Sequence, residues 1–247
     1  MSRDRVNIAS AADDEQLAAA VDALVAAFDA DPGWSAMLPD MRTRRSVLTA
    51  ALSALVADGA HRDSLLVALV DGGVVGAAIA WRPAYHPSPL RTPRYARAAA
   101  MILRAARLAT GGLWRRWQAM RTADPGAEPH WHLAVLGVRP DAQQRGAGRA
   151  MLGAFLERVD DADGATYLET GRPELVAWYG AVGFGVRQRL TLPGGGQVWT
   201  MWRAPRSAHP DAAPHPSPEE EVADRESKRE RDRRQPFDGG GGRTIIG

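Results

Sequence analysis

The stretch Gln143-Gln144-Arg145-Gly146-Ala147-Gly148 follows a run with strand character, residues 130–138, and opens a strongly amphipathic one. The first N–H groups of a helix have no partner within it, and aligned peptide dipoles place partial positive charge there. Gly146 and Gly148 remove side chains, so a diphosphate can approach those N–H groups closely. The segment reads as a pyrophosphate cradle at a helix start. No Gly-Lys-Ser/Thr follows, which excludes a Walker loop, and the dinucleotide spacing G-x-G-x-x-G is missing. Plain glycine capping is the alternative reading of so short a pattern.

Upstream, residues 5–8 have strand character, and Ser10 followed by Asp13 has capping-box spacing. Leu17, Val21, Leu24, Val25 and Phe28 then recur at helical period, and Asp31-Pro32-Gly33 stops that helix. A second helix is predicted over 42–58. Strands at 64–70 and 74–81 flank Asp71-Gly72-Gly73, a hairpin signal. The proline-rich stretch 82–93 reads as a loop, and helical spacing resumes over 94–110.

Downstream of the cradle, Met151, Leu152, Phe155, Leu156 and Val159 form the buried stripe of a helix over 146–160. A strand at 166–170, a helix at 173–181 and two strands, 186–192 and 198–203, complete the pattern. From residue 205 the composition turns to Pro, Ala, Ser and His, then to mixed charge and a glycine run. So little apolar surface does not offset chain entropy, and 205–247 is expected to be a disordered tail behind one domain, 1–204.

Composition excludes several classes. Cysteine is absent from the 247 residues, so there are no disulfides or thiolate metal sites, and no metal is expected. No apolar run approaches the ~20 residues of a membrane span, and no signal-peptide pattern opens the chain. A cytoplasmic protein is the expectation. The net charge of only +2 argues against a dedicated polyanion binder.

With the order laid out, the chain resembles the GNAT-superfamily N-acetyltransferases, and among them the puromycin N-acetyltransferase-like enzymes. The resemblance runs from about residue 5 to residue 203. Its blocks are Glu128-Pro129-His130-Trp131-His132-Leu133-Ala134, Leu136-Gly137-Val138-Arg139-Pro140-Asp141 with the glycine loop, Leu168-Glu169-Thr170, and Trp178-Tyr179 through Gly183-Phe184. Ala27-Phe28-Asp29-Ala30-Asp31-Pro32 is a weaker block. The resemblance implies an α/β (α+β) fold: a mixed, mostly antiparallel twisted sheet of six to seven strands flanked by helices. It implies direct transfer of an acetyl group from acetyl-CoA to a primary amine of a small molecule, in a ternary complex, as in antibiotic modification.

It further implies that the strand at 130–138 splays from the one at 166–170 and that coenzyme A enters the gap. Leu136, Gly137 and Val138 would hold the pantetheine, with an N–H near Leu136 facing the thioester oxygen. Gln143, Gln144, Arg145, Gly146, Ala147, Gly148 and Arg149 would hold the pyrophosphate. Gly137 within an apolar strand suggests a bulge or a close backbone approach. Tyr179 matches the family's donor to the departing thiolate; the alternative is a core tyrosine behind Trp178. The family's asparagine one turn earlier is replaced here by Leu175, which cannot make that amide's hydrogen bond; Arg172 is a candidate substitute.

An alkyl amine with pKa near 10.4 is neutral in roughly one molecule per few thousand at pH 7, a penalty of about 4–5 kcal/mol. The candidates for taking its proton are His132 and Glu169. Period-two alternation puts His132 on one strand face with Leu136, although the puromycin-type enzymes carry an aromatic there. Phe28, Asp31, Trp34 and Trp81 are candidates for the acceptor pocket.

Two other classes stay open. One is a catalytically silent GNAT protein that binds acyl-CoA and regulates a partner. The other is a nucleic-acid binder using Arg91, Arg94, Arg97, Arg104, Arg107, Arg115, Arg116 and Arg121, interleaved with Tyr95, Trp114 and Trp117; a solvated arginine face explains that pattern without a ligand. Oligomerisation is compatible with the sequence but not signalled by it.

Overall fold

A computed structural model describes residues 6–10, 13–61, 64–85, 95–96, 98–101, 104, 125–126, 128–191 and 196–208. Seven strands form one sheet in the order β1-β2-β3-β4-β5-β7-β6. They are β1 (Asn7–Ala9), β2 (Leu65–Val70), β3 (Gly73–Trp81), β4 (Trp131–Val138), β5 (Thr166–Thr170), β6 (Gly185–Thr191) and β7 (Gln197–Arg203). Neighbours are antiparallel except β4 and β5, which are parallel. Helices α1 (Asp14–Asp29), α2 (Pro32–Met37) and α3 (Met41–His61) precede β2; α4 (Ala147–Asp161) follows β4, and α5 (Pro173–Gly180) follows β5.

Strands covered on both faces read as continuous apolar runs, and β2 and β3 are of this kind. Leu65, Val67, Ala77, Ile79 and Trp81 join α1 and α3 residues such as Leu24, Leu48 and Val56 in one core. Leu66, Ala68, Ala78 and Ala80 join Met151, Leu152 and Phe155 of α4 in the other. Full burial contributes roughly 1.5–3 kcal/mol for each large side chain, so both stripes fix the register. The β2–β3 turn has Asp71 at φ 50° and Gly72 at φ 82°, the left-handed pair that a two-residue hairpin requires.

Two helix ends differ from expectation. The cap of α1 is Asp13, whose carboxylate accepts from the Gln16 N–H at 2.8 Å. Asp31-Pro32-Gly33 does more than stop α1. Asp31 Oδ1 accepts from the N–H groups of Gly33 and Trp34 at 2.9 and 3.2 Å, capping α2 with Pro32 in its first turn. Pro lacks the N–H that would be unsatisfied at that position anyway.

Of the two readings of Gly137, a bulge or a close approach, the bulge lies elsewhere. Ile79 pairs with Val135 but Ala80 with Leu133, so Ala134 is the extra residue on β4. Gly137 is instead a close approach: a Cβ there would lie 2.9 Å from Leu24 Cδ2 and 3.1 Å from Ala27 Cβ of α1.

Residues 205–208, grouped with the tail by composition, include a 3-10 turn at Arg206–Ala208 held by Ser207 N–H to Asp163 Oδ1 at 3.0 Å. The remainder of the tail lies outside the described residues. So does most of the arginine-rich stretch; Tyr95, Ala96, residues 98–101 and Arg104 are helical. Among the described residues no helix is long and apolar enough to cross a membrane, and no group of three or more His, Cys, Asp or Glu side chains could hold a metal ion.

Candidate active site

Strands β4 and β5 pair only through Trp131–Thr166 and His132–Tyr167. Beyond that point β4 follows β3, β5 follows β7, and a gap opens between them. The edge of β4 that faces the gap follows from the ladder. Arg139 N–H donates to Val75 C=O at 2.9 Å, and antiparallel pairing alternates. The backbone groups of Val138 and Leu136 therefore point away from β3. Val138 C=O accepts from the Gln143 side-chain amide at 2.9 Å, which ties the loop to the strand end.

A cleft of about 440 Å³ fills this region. Its lining brings together Leu136, Gly137, Val138, Gln143, Gln144, Gly146, Ala147, Gly148 and Arg149 with Phe28 and Asp31 from the end of α1 and Arg172, Leu175, Trp178 and Tyr179 around α5. Arg145 belongs to the loop but not to this lining. The loop turns sharply: Gln144 has φ 63° and Gly146 φ 92°. Gly146 is therefore required by its backbone conformation. Gly148 is not required by packing, since a Cβ there would make ordinary contacts of 3.7 Å with Val138 and 3.9 Å with Leu136.

Tyr179 is 6% exposed, its ring edge against Trp178 and Phe184 at centroid distances of 4.8 and 5.7 Å. Burial pushes its phenol up to about 12, so it is protonated throughout the neutral range. Leu175 is half-buried and offers the cleft only apolar surface where the resemblance leads one to expect an amide. Arg172 is tied to Glu174 at 2.7 Å.

His132 Nε2 and Glu169 Oε2 lie 2.9 Å apart; His132 stands at the last paired position and Glu169 two residues beyond its partner Tyr167. The ring of His132 meets Tyr167 edge-on at 5.3 Å. The bulge at Ala134 breaks the alternation that would place His132 beside Leu136. Leu133 and Leu136 pack with α4, and Val135 packs with α1 and α3. His132 pairs across the ladder with Trp81, so the His132–Glu169 pair occupies the α1–α3 face and Tyr179 the α4 face.

Two acceptor candidates do not line the cleft. Trp81 is 2% exposed in the α1–α3 core, and Trp34 packs against the same core. What the sequence reading missed is a second cavity beside His132, to which Arg82, Tyr85 and Glu128 contribute. Arg82 and Tyr85 fall at the edge of the proline-rich loop, where no periodicity marks them.

A sequence model described as the acetyltransferase (GNAT) family matches residues 34–184, well over half of the chain. The chain belongs to the GNAT acetyltransferase family. Solved members share its fold. An acetyltransferase from Corynebacterium glutamicum, described as histone acetyltransferase HPA2 and related, is 22% identical with a TM-score of 0.59, covering 81% of this chain and 96% of that one. The polyamine N-acetyltransferase of Drosophila melanogaster is 16% identical with a TM-score of 0.54, covering 81% and 100%. The PaiA N-acetyltransferase of Thermoplasma acidophilum, solved with coenzyme A, is 11% identical with a TM-score of 0.50, covering 81% and 99%. The parallel β4–β5 pair with its gap lies at the centre of the sheet.

Proposed function

We propose that this GNAT protein transfers an acetyl group from acetyl-CoA to a primary amine of a small molecule, by direct attack in a ternary complex. The observation that carries the reading is the opening of β4 from β5, with a titratable pair at its apex and a glycine-turned helix start along its length. The residues present fit acetyl-CoA. Outward-facing backbone groups at Leu136 and Val138 suit the amides of a pantetheine arm, as in strand addition. The first N–H groups of α4 suit a diphosphate, and open space around Gly146 permits its approach. Gln143 and Gln144 shape the loop, while Arg145 and Arg149 add positive charge beside it.

When bound, acetyl-CoA supplies an activated acyl carbon on a thiol leaving group. The amine nitrogen forms the new bond to that carbon and the carbon–sulfur bond breaks. His132, oriented by Glu169, takes the proton that the amine must lose. The Leu136 N–H meets the negative charge developing on the carbonyl oxygen. Tyr179 donates a hydrogen bond to the departing sulfur. Burial pushes its phenol up to about 12, so the hydroxyl is protonated throughout the neutral range and available as donor to the negative charge of the leaving thiolate.

Some solved neighbours act on amines: the Drosophila enzyme forms N-acetylagmatine, and another is an agmatine N-acetyltransferase. They support an amine acceptor and do not identify it. Thiol release from acetyl-CoA over a panel of amines tests the reading, with Tyr179→Phe in parallel. Amine-dependent release that falls in the variant supports it. Acetyl-CoA binding without release from any amine would favour an acyl-CoA-binding regulator, the reading for which Leu175 speaks.

A further inference from the structure

The ladders place Thr200 beside the His132–Glu169 pair. Leu168 of β5 and Met201 of β7 lie opposite each other and pack with α4. The residues that alternate with them, Tyr167 and Glu169 on β5 and Thr200 and Trp202 on β7, therefore share the other face. His132 stands on that face too, its ring edge-on to Tyr167 at 5.3 Å. Thr200 is the direct partner of Glu169 in the antiparallel register, and side chains so opposed have Cβ atoms roughly 4.5–5.5 Å apart.

Two polar groups are left over at this point. Thr200 is 0% exposed, and its hydroxyl has no hydrogen-bond partner. Glu169 holds His132 through Oε2 at 2.9 Å, and its other carboxylate oxygen has no partner among the described residues. A buried hydroxyl without a partner costs the fold its desolvation. Valine has nearly the same shape, suits a strand as well and carries no such cost; Val198 fills the next place on this face of β7. Packing alone does not account for a threonine here. A hydroxyl can donate, and the ionised carboxylate opposite it is a strong acceptor.

We infer that Thr200 is a positioning residue for the reaction, its hydroxyl donating to the free oxygen of Glu169 as His132 takes up the amine's proton. Catalytic hydrogen bonds are often long or poorly aligned before substrate binds and tighten afterwards. With one oxygen on His132 and the other held from β7, the carboxylate is fixed at both ends while the imidazole gains its charge. The inference rests on the acetyltransferase reading above, with His132 as base, and adds a third member to the pair. Thr200 does not line the cleft and acts only through Glu169.

The test compares Thr200→Val, Thr200→Ser and Thr166→Val in the full chain, with acetyl-CoA and the amine panel. Thr166 is the control: its hydroxyl is equally buried and unpartnered, but it shares the α4 face with Leu168. Both valine variants should melt at or above the wild-type temperature, since each removes an unsatisfied hydroxyl. Thr200→Val should nevertheless lose about tenfold in kcat, the scale of one hydrogen bond to a charged group, with the KM for acetyl-CoA unchanged. Thr200→Ser should keep most of the rate and Thr166→Val all of it. In a Glu169→Ala background, Thr200→Val should cost nothing further. Full activity in Thr200→Val, an equal loss in the Glu169→Ala background, or a lowered melting temperature of Thr200→Val overturns the inference. If wild type acetylates no amine, the transferase reading falls, and the imidazole NMR signals of His132, assigned by their loss in His132→Gln, decide. Signals that move in Thr200→Val and not in Thr200→Ser preserve the Thr200–Glu169 contact; unmoved signals remove it as well.

Discussion

His132, at the last position where β4 still pairs with β5, and Glu169, two residues beyond its partner Tyr167, form a 2.9 Å contact between the two parallel strands. A hydrogen bond there holds the imidazole at the mouth of the gap. Both side chains are accessible enough to reach a ligand, 26% and 16% exposed. A pair acting as one unit gives non-additive losses. His132→Ala should lower kcat by about 10²–10⁴, and Glu169→Gln should lower it less. The double variant should match His132→Ala alone, with the KM for acetyl-CoA little changed in all three. Losses that multiply in the double variant would show independent roles.

Tyr179 gives a pH signature in stability. Burial raises its phenol to about 12, against about 10 in an unfolded chain. The folded state therefore holds this proton more tightly. The stabilising contribution is complete below about pH 10 and is lost as pH rises toward about 12. In Tyr179→Phe the fall in denaturation midpoint over that window should be shallower than in wild type. Turnover at neutral pH should drop by roughly 10²–10³-fold, the scale of a lost transition-state donor. An unchanged alkaline limb would contradict the burial of the hydroxyl.

The two cradle glycines should separate fold from ligand. Gly146 has φ 92°, so Gly146→Ala should destabilise the protein by about 1–2 kcal/mol. Gly148 meets only ordinary contacts if a Cβ is added, and it sits in the first turn of α4. Gly148→Ala should leave stability unchanged or raise it by up to about 1 kcal/mol, while its methyl crowds a diphosphate and raises the KM for acetyl-CoA about tenfold or more. Thermal melting and acetyl-CoA titration on the same preparations distinguish the two.

Much of this was legible in sequence because periodicity is local. The α4 stripe from Met151 to Val159 and the Asp71-Gly72 hairpin each lie within a few residues of the partners that define them. The contact of Glu169 with His132 was not, because 37 residues separate them and only the crossover through α4 brings them together. The bulge at Ala134 leaves no composition signal, so counting by two from His132 assigns Leu136 to the wrong face. In sequence Trp81 reads as a pocket aromatic because a lone tryptophan at a strand end has no period to mark it as core. Arg82, next to it, carries no periodic signal for the same reason.

Asp29 at the end of α1 is tied to Arg45 at 2.7 Å and Arg44 at 3.1 Å, both on α3. Hydrogen bonding from Arg45 is the largest influence holding its carboxyl below the usual value; burial opposes it, and Arg44 adds to the lowering. Arg44 is buried and also donates to Leu38 C=O at 2.8 Å, so the contact anchors the segment that carries Phe28 and Asp31 to the cleft. A lowered carboxyl stabilises the fold above the ordinary carboxylate range, near pH 4, and the contribution disappears as pH falls through the lower folded value. Asp29→Asn should cost about 1–2 kcal/mol at pH 7, read as a lower urea midpoint with unchanged slope. The gap between variant and wild type should narrow as the pH is taken below 4. Acetyl-CoA affinity should fall alongside stability at pH 7, because Phe28 and Asp31 line the cleft only while α1 and α3 are held together.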